Sequence, residues 1–198
     1  DRLTNANRSL VARYSLERSD ATKWIDDVGN HHGAVDGQVV PVEGFGSGTA
    51  GKFDGDDAVV LPLVVSDSFT ITLRLRTTHG GPGRAEDTRW FTGTGLVDGE
   101  VPGIVRDFGV SFISHGYVSA GTGDPETFVS SGPGHNDGRW HHVAFTRSRE
   151  SGDIALWIDG VAVDRARGSK ARLDNPRKLS IGAMLPGGGA FTGDIDEV

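Results

Sequence analysis

Several side chains in the sequence could bind a ligand that carries hydroxyl groups. Trp157 belongs to the run 153–158, in which it points away from the apolar face because the side chains of a strand alternate. Arg74 and Arg76 fall on the polar side of another alternating run. Sugar rings stack on tryptophan, and arginine donates hydrogen bonds to hydroxyls. These residue types predict a binding platform of Trp157, Arg74 and Arg76, with Trp90, which stands beside loops, as a further candidate contact.

Two carboxylates near the end of the sequence are the strongest hint of hydrolytic chemistry. A retaining glycosidase needs two carboxylates about 5 Å apart. Asp196 and Glu197 are adjacent in a strand-like run, so their side chains point to opposite faces. The spacing therefore predicts a binding protein rather than an enzyme.

Metal-binding chemistry is limited to oxygen ligands. The chain has no cysteine, which excludes a disulfide framework, a thiolate metal site and a cysteine nucleophile. The members of the adjacent pairs His31-His32 and His141-His142 face opposite ways, so we interpret them as packing or surface residues. Oxygen-rich loops favour calcium, although none has the register of an EF-hand. These loops contain Asp26-Asp27 and Asp54-Asp56-Asp57.

The charge narrows the class of partner. The 198 residues carry a formal net charge of −7, with scattered acidic residues and no basic block. This balance argues against nucleic acid or an anionic membrane as a partner. No window approaches the length of a membrane span, and Asp1 to Leu10 lacks the apolar region of a signal peptide. If the protein is secreted, we expect that a signal peptide has been removed.

Period-two alternation predicts the main strands. It is clearest from Ser68 to Thr77, which we expect to be a central strand with one wet face. A meander is predicted over 140–165, because Asp159-Gly160 supplies the positive φ angles of a two-residue hairpin. The runs 49–53 and 58–61 predict another hairpin. The other strand candidates are 9–17, 34–35, 89–92, 107–114, 116–120, 127–130, 178–184 and 191–198.

The strands and turns together predict an all-β fold. Thirty glycines without a collagen-like period are typical of many tight turns. We therefore expect one domain over residues 1–198, an antiparallel two-sheet jelly-roll sandwich with helix limited to a turn or two. The last run, 193–198, stops in mid-strand, which predicts a region cut from a longer chain or a disordered end.

Six short blocks give a more specific indication. They are Phe53-Asp54-Gly55, Ser68-Phe69-Thr70-Ile71, Gly138-Arg139-Trp140-His141-His142-Val143-Ala144, Leu156-Trp157-Ile158-Asp159-Gly160, Ile181-Gly182-Ala183 and Phe191-Thr192-Gly193-Asp194-Ile195-Asp196-Glu197-Val198. In this order and spacing they resemble the laminin-G-like domains of the concanavalin A-like lectin/glucanase superfamily, over nearly the whole chain. The resemblance implies a jelly roll of two curved sheets that uses a concave face or a loop rim for ligands. This fold carries sugar binding, protein adhesion and glycoside hydrolysis alike.

The resemblance also implies a compartment and a metal. Such domains are usually extracellular and often hold a structural calcium ion, and Asp196 occupies the place of the calcium ligand in the last strand. The related glucanases carry their acids as Glu-x-Asp-x-x-Glu, which the run 194–197 does not match. We therefore expect a non-catalytic, extracellular carbohydrate-binding module, accessory to a larger carbohydrate-active protein. The alternatives are a protein-interaction or structural domain that packs against a neighbouring domain and, third, a glycoside hydrolase.

Overall fold

A computed structural model describes residues 9–20, 22–84, 87–185 and 188–198 of the chain. Fifteen strands lie in these ranges. They are β1 (Lys23–Trp24), β2 (Gly33–Asp36), β3 (Val40–Glu43), β4 (Thr49–Asp54), β5 (Ala58–Pro62), β6 (Phe69–Arg76), β7 (Thr94–Asp98), β8 (Phe108–Ile113), β9 (Tyr117–Thr122), β10 (Thr127–Ser130), β11 (His141–Arg147), β12 (Asp153–Ile158), β13 (Val161–Arg167), β14 (Lys178–Ile181) and β15 (Thr192–Asp196).

The strands form two antiparallel sheets. Sheet A has eight strands in the order β1-β2-β5-β14-β7-β8-β9-β10, and sheet B has seven in the order β13-β12-β11-β6-β15-β4-β3. From residue 10 onward, the described ranges contain only two helical segments, the 3-10 turns Trp90–Thr92 and Ser114–Gly116. None of the described helical segments is long and apolar enough to cross a bilayer. The predicted all-β two-sheet sandwich is confirmed.

The core lies between the sheets and follows the alternation of the sequence. In β6, Leu73 and Leu75 are fully buried, whereas Thr70 and Thr72 between the apolar positions are exposed. β6 pairs with β11 on one side and with β15 on the other, so it is a central strand as predicted. Apolar side chains of sheet A, such as Phe108, close the core from the opposite side. Burial of these alternating faces is the main force that holds the two sheets together.

The predicted meander is also confirmed. β11, β12 and β13 are consecutive antiparallel neighbours in sheet B. The turn between β12 and β13 places Asp159 at φ 50° and Gly160 at φ 81°, the left-handed conformation that a two-residue hairpin requires. A register shift between Leu156 and Trp157 marks a bulge beside this turn.

Three local expectations were wrong. β4 and β5 do not form a hairpin, because β4 lies in sheet B and β5 in sheet A; the acidic turn between them carries the chain across the sandwich. Residues 90–92 form a 3-10 turn rather than a strand. The stretch 9–17 is not a ladder strand; reciprocal backbone bonds between Tyr14 and Val198 join it to the chain end.

The outer face of sheet A, which looks away from the core, is covered by loops. Every residue of β7 and of β8 is buried, so neither strand has the wet side of an ordinary two-layer sandwich. Trp90 lies flat over this face and is fully buried. It rests on Gly109 and Gly121, where any side chain would collide with the indole; a Cβ atom at Gly109 would lie 2.5 Å from the ring. Loops therefore enclose space on the outer face of sheet A.

Candidate functional site

A cavity of about 410 Å³ lies on the outer face of sheet A, which is a volume typical of small-ligand sites. Its floor is made where β7 and β14 run side by side, with Asp98 paired to Ser180. Its walls come from the loops that follow β7 and precede β14. The lining residues are Asp98, Gly99, Glu100, Val101, Pro102, Asn175, Pro176, Arg177, Lys178, Leu179, Ser180 and Leu185.

The two wall loops are tied to each other. The Asn175 Oδ1 atom accepts the backbone N–H of Arg106 at 3.0 Å, and the Asn175 N–H donates to the Arg106 carbonyl at 3.2 Å. An ion pair of 3.2 Å between Arg106 and Asp174 reinforces the contact. These bonds connect loops that are far apart in sequence, so the cavity keeps both walls in place before any ligand arrives.

Asp98 is the most unusual group in the cavity. Its side chain is only 2% exposed, and Oδ2 accepts the backbone N–H of Glu100 at 3.1 Å, whereas Oδ1 has no hydrogen-bond partner. Burial raises the pKa of Asp98 well above its usual value, although the backbone amides of Glu100 and Leu185 oppose the shift. An unpaired buried oxygen of this kind costs stability and is uncommon in folded proteins.

Glu100 and Asp107 form a hydrogen-bonded carboxyl pair beside Asp98. Burial, together with the negative charges of Asp107 and Glu126, raises the pKa of Glu100 to about 7. Burial also raises the pKa of Asp107, and its backbone bonds, among them that from the Val101 N–H at 2.9 Å, lower it in part. At neutral pH the Glu100 carboxyl group is therefore only partly protonated, and its protonated form is the one that can donate to Asp107.

Glu126 joins this acidic cluster to Trp90. The indole N–H of Trp90 donates to Glu126 Oε1 at 2.7 Å, and burial nevertheless raises the pKa of this carboxyl. Because Trp90 is fully buried, it offers no open ring face to a sugar. The expectation that Trp90 contacts a ligand is therefore corrected: its role is to pack on sheet A and to position Glu126.

The cavity can recognise hydroxyl groups by hydrogen bonding. Carboxyls, the Asn175 amide, the Lys178 ammonium and the Ser180 hydroxyl surround it, and prolines and leucines supply apolar patches for the C–H face of a sugar. This set of donors and acceptors suits the binding of a hydroxyl-rich ligand.

The predicted platform on sheet B is not assembled. Trp157 and the two arginines do point to the same outer face, but β11 separates β12 from β6. Trp157 instead lies half-buried beside Ala144, with the guanidinium of Arg165 5.0 Å from its ring centroid. The expectation of one adjacent cluster is therefore wrong, because strand order cannot be read from alternation. Contact of Trp157 alone with a ligand stays a prediction.

Both arginines of the predicted platform are engaged within the protein. Arg76 donates to Asp194 Oδ2 at 2.8 Å and lies over the ring of Trp140 at 4.6 Å. Arg74 stacks on Phe45, with 3.6 Å between the guanidinium carbon and the ring centroid. Cation–π contacts of this kind stabilise the surface of sheet B and leave less of each guanidinium for a ligand.

Asp196, the predicted calcium ligand, is 2% exposed at the end of β15. Its two carboxylate oxygens accept the backbone N–H groups of Phe45, at 2.8 Å, and Glu197, at 2.7 Å. Burial raises the pKa of Asp196, and the negative charges of Glu197 and Glu17 add to the effect. Both oxygens are thus already bonded to backbone amides, and among the described residues Asp196 does not belong to a close group of three possible metal ligands.

A second oxygen-rich group lies in the turn between β4 and β5. The ligand atoms of Asp54, Asp56 and Asp57 all lie within 4.8 Å of one another. Asp57 is buried and already accepts the backbone N–H groups of Gln38 at 2.5 Å and Asp54 at 3.1 Å, while the other two side chains are exposed. The oxygens of the trio also suit a cation. The backbone bonds of Asp57 stabilise the turn as well, so the trio has a structural role without an ion.

The cluster of Asp98, Glu100, Asp107 and Glu126, of which only the first two line the cavity, was missed by sequence reasoning. Asp98 ends β7, a strand buried on both faces that shows no polar and apolar alternation. Asp107 and Glu126 each precede another strand, so only the sheet order brings them near Asp98 and Glu100. The one available signal was the run Thr94–Asp98 between glycines, which is typical of a fully buried strand.

Comparison with known proteins agrees with this architecture. The family model Laminin_G_3, described as the Concanavalin A-like lectin/glucanases superfamily, matches residues 53–198. Over 63 residues the chain is 39% identical to the mouse (Mus musculus) sushi, von Willebrand factor type A, EGF and pentraxin domain-containing protein 1, a match that covers 32% of this chain. The match spans only 2% of the length of that relative.

Two solved structures share the fold. Domain 4 of AbnA, a GH43 extracellular arabinanase from Geobacillus stearothermophilus, in complex with arabinotriose, has a TM-score of 0.69 at 20% identity, over 95% of this chain and 89% of that domain. The CBM40 of the Ruminococcus gnavus IT-sialidase, bound to alpha2,3 sialyllactose, has a TM-score of 0.55 at 14% identity, over 81% of this chain and 90% of that one. At these identities the similarity establishes the fold alone.

Proposed function

Because the chain belongs to the concanavalin A-like lectin/glucanase superfamily, we propose that it is a non-catalytic, extracellular carbohydrate-binding module. Its ligand occupies the cavity on the outer face of sheet A. The observation that carries this assignment is a cavity of about 410 Å³ whose lining includes the buried Asp98 carboxyl, one oxygen of which has no hydrogen-bond partner. Two structures with this fold, the arabinanase domain and the CBM40, hold oligosaccharides, which supports a saccharide as the ligand class.

The roles of the lining residues follow from their chemistry. Asp98 and Glu100 supply hydrogen-bonding carboxyl groups, and Lys178 supplies a donor at the edge of the cavity. The pairing of Asp98 with Ser180 places two polar side chains on adjacent strands of the floor. Because few side chains contribute, weak affinity for a single sugar unit is expected.

The test is binding of a glycan array, with arabinotriose included, to the isolated domain and to two lysine variants. Lys178→Ala should weaken binding about tenfold, since it removes one hydrogen bond to the ligand. Lys170→Ala is the matched control, because Lys170 is also exposed but does not line the cavity. Equal binding by both variants, or loss of binding in Trp157→Ala alone, would move the site to sheet B.

One observation favours a packing domain as the second candidate function. Val161 and Val163 of the edge strand β13 are 64% and 41% exposed, and Phe128 of the neighbouring β10 is 37% exposed. The bond from the Ser130 N–H to Asp164 Oδ2, at 3.0 Å, holds these two edges together. A neighbouring domain of a longer chain could cover such a patch. If no glycan binds and Val161→Asp releases a partner domain, this function replaces the first.

A further inference from the structure

We propose that the outer face of sheet B carries a second ligand site, separate from the cavity on sheet A, in which Arg165 binds the carboxylate of an acidic sugar unit. This inference goes beyond the proposed function, which places a saccharide on the other sheet and does not depend on this site. The ligand class that it adds is glycans with uronic acid units.

A pocket of about 450 Å³ lies on the outer face of sheet B, where four strands run side by side. Its lining includes one outward residue from each strand: Thr70 of β6, Thr146 of β11, Ala155 of β12 and Arg165 of β13. Thr146 pairs with both Thr70 and Ala155, and Ala155 in turn pairs with Arg165. Because Ala155 is small, it leaves room between its larger neighbours that a ligand can enter.

Trp157 holds the guanidinium of Arg165 at the edge of this pocket. Arg165 is exposed, and its guanidinium carbon lies over the Trp157 ring, 5.0 Å from the centroid. Trp157 does not line the pocket itself, but its indole N–H lies 3.5 Å from the hydroxyl of Thr146, which does. A guanidinium that stacks on an aromatic ring uses its flat face, so the N–H groups in its plane stay available. Trp157 is therefore a positioning residue for Arg165.

The positive charge of Arg165 is not balanced within the protein. Arg165 takes part in none of the ion pairs formed between described residues. Asp153, the acid in the lining, pairs with Arg167 at 2.8 Å. Asp164 lies next to Arg165 in sequence, but its Oδ2 atom accepts the Ser130 N–H of sheet A at 3.0 Å. An anionic ligand would supply the missing partner.

The other arginine of the lining serves the fold. Arg147 is 3% exposed, and its guanidinium donates to the carbonyls of Ser169 at 2.9 Å and Ala171 at 2.6 Å. These bonds hold the segment between β13 and β14. Arg165 is thus the cation of this lining that a ligand can reach.

A carboxylate on a sugar ring matches these groups best. The parallel N–H donors of a guanidinium fit the two oxygens of a carboxylate. The hydroxyls of Thr70, Thr146 and Ser148 also lie in the lining, where they can exchange hydrogen bonds with sugar hydroxyls. An acidic peptide would bring the carboxylate without the hydroxyls, so a uronic acid unit uses more of the pocket.

The probes are trigalacturonic acid and its fully methyl-esterified form, which has the same rings but no charge. Amide resonances of nitrogen-15-labelled protein report where each probe binds and how tightly. At pH about 7 the carboxyl groups of the acid are ionised. The acid is expected to shift Thr146, Ala155 and Arg165 and to bind about tenfold tighter than the ester, because only the acid forms charge-assisted hydrogen bonds.

Variants separate the charge of Arg165 from its positioning. Arg165→Gln should lower the affinity for the acid to that for the ester. Arg84→Gln is the matched control and should change neither affinity, because Arg84 is exposed and lines neither the pocket nor the cavity. Trp157→Ala should weaken binding of the acid about threefold, and Trp157→Phe should restore most of it, because phenylalanine keeps a ring for the guanidinium to stack on.

Several outcomes would overturn the proposal. Equal affinity for acid and ester contradicts it, as does a preference for the acid that survives in Arg165→Gln. Shifts confined to residues 98–102 and 175–180 would place the acid in the cavity, so the second site fails and the proposed function stands. A glutamate oligopeptide that binds at Arg165 more tightly than the acid would replace the sugar as the ligand. If Arg165 binds the acid but no glycan enters the cavity, the site proposed on sheet A fails and this one stands.

Discussion

At the scale of single residues, Glu100 combines a raised pKa with a position in the lining of the cavity. It is half-buried and lines the cavity. Burial and the negative charges of Asp107 and Glu126, which lie in loops, oppose its ionisation and raise its pKa. The residue therefore links the stability of the domain to pH.

This linkage predicts that the protein loses stability as pH rises. The folded protein holds the pKa of Glu100 at about 7, above the ordinary 4.5 of the unfolded chain. A raised pKa means that its stabilising effect is complete below pH about 4.5 and is lost as pH rises through 7. The free energy of unfolding should fall by about 2 kcal/mol between pH 5 and 8, an amount reduced for partial exposure.

The measurement is urea denaturation at several pH values. Glu100→Gln should show a flatter profile than the wild type, because glutamine imitates the protonated form. Parallel profiles for the two proteins would show that Glu100 ionises normally, and the hydrogen bond to Asp107 would then have no thermodynamic role.

At the scale of elements, the 3-10 turn that carries Trp90 covers the outer face of sheet A. Its indole covers Gly109 of β8 and Gly121 of β9, and only glycine leaves room for it. Trp90 in turn holds Glu126 at 2.7 Å, so the packing of one ring fixes one acid of the cluster. The glycine positions are therefore part of the site although they touch no ligand.

Gly121→Ala should destabilise the domain by about 2 kcal/mol, because the new methyl group overlaps the buried indole. Gly132→Ala is the control, since nothing lies within 4 Å of the position that its Cβ would occupy. Its effect should stay within about 0.5 kcal/mol. Thermal denaturation of both variants checks the prediction, and equal melting temperatures would show that Trp90 can move aside without cost.

The sequence predicts elements well where one face is wet and poorly where both faces are buried. The alternation of β6 and the Asp159-Gly160 turn were sufficient to predict that strand and that hairpin, because period-two alternation and positive φ angles are local properties of the sequence. β7, buried on both sides, has no such alternation and was missed. The residues of the turn between β4 and β5 led to the prediction of a hairpin. That prediction was wrong because turn residues do not reveal that the chain changes sheets.

At the scale of the whole molecule, the two chain ends of the described region meet near Asp196. Tyr14 and Val198 exchange backbone hydrogen bonds of 2.8 and 3.3 Å, and Arg13 pairs with Glu197 at 2.8 Å. A calcium ion held by Asp196 and Glu17 would reinforce this closure, because the two belong to the last strand and the first segment.

If calcium binds there, excess chelator should lower the melting temperature, since a ligand specific for the native state stabilises it by mass action. Calcium at about 100 times its dissociation constant would contribute about 2.7 kcal/mol. Asp196→Asn should remove the response to chelator, whereas Asp56→Asn should keep it. The opposite pattern would assign the ion to the acidic trio of Asp54, Asp56 and Asp57, and no response in any protein would exclude a stabilising calcium ion.

The fold was predictable at this scale, but the site was not. Ordered blocks such as Phe53-Asp54-Gly55 identify the sandwich because their order and spacing follow the turns and strands of one fold, whose family model matches the chain. The cavity depends on loops before and after β7 and β14, which only the strand order of sheet A brings together. Arg74 and Trp157 were placed correctly on one outer face, yet the intervening β11 separates them.

The most direct test of the claim that the cavity binds a glycan is to map where a bound glycan perturbs the domain. Backbone amide resonances of nitrogen-15-labelled protein should be followed during titration with the strongest binder from the glycan array. If the cavity is the binding site, the largest shifts fall on residues 98–102 and 175–180, and they are reduced in Lys178→Ala. Shifts confined to Trp157, Arg165 and their neighbours on sheet B would contradict the claim and establish the opposite face as the ligand surface.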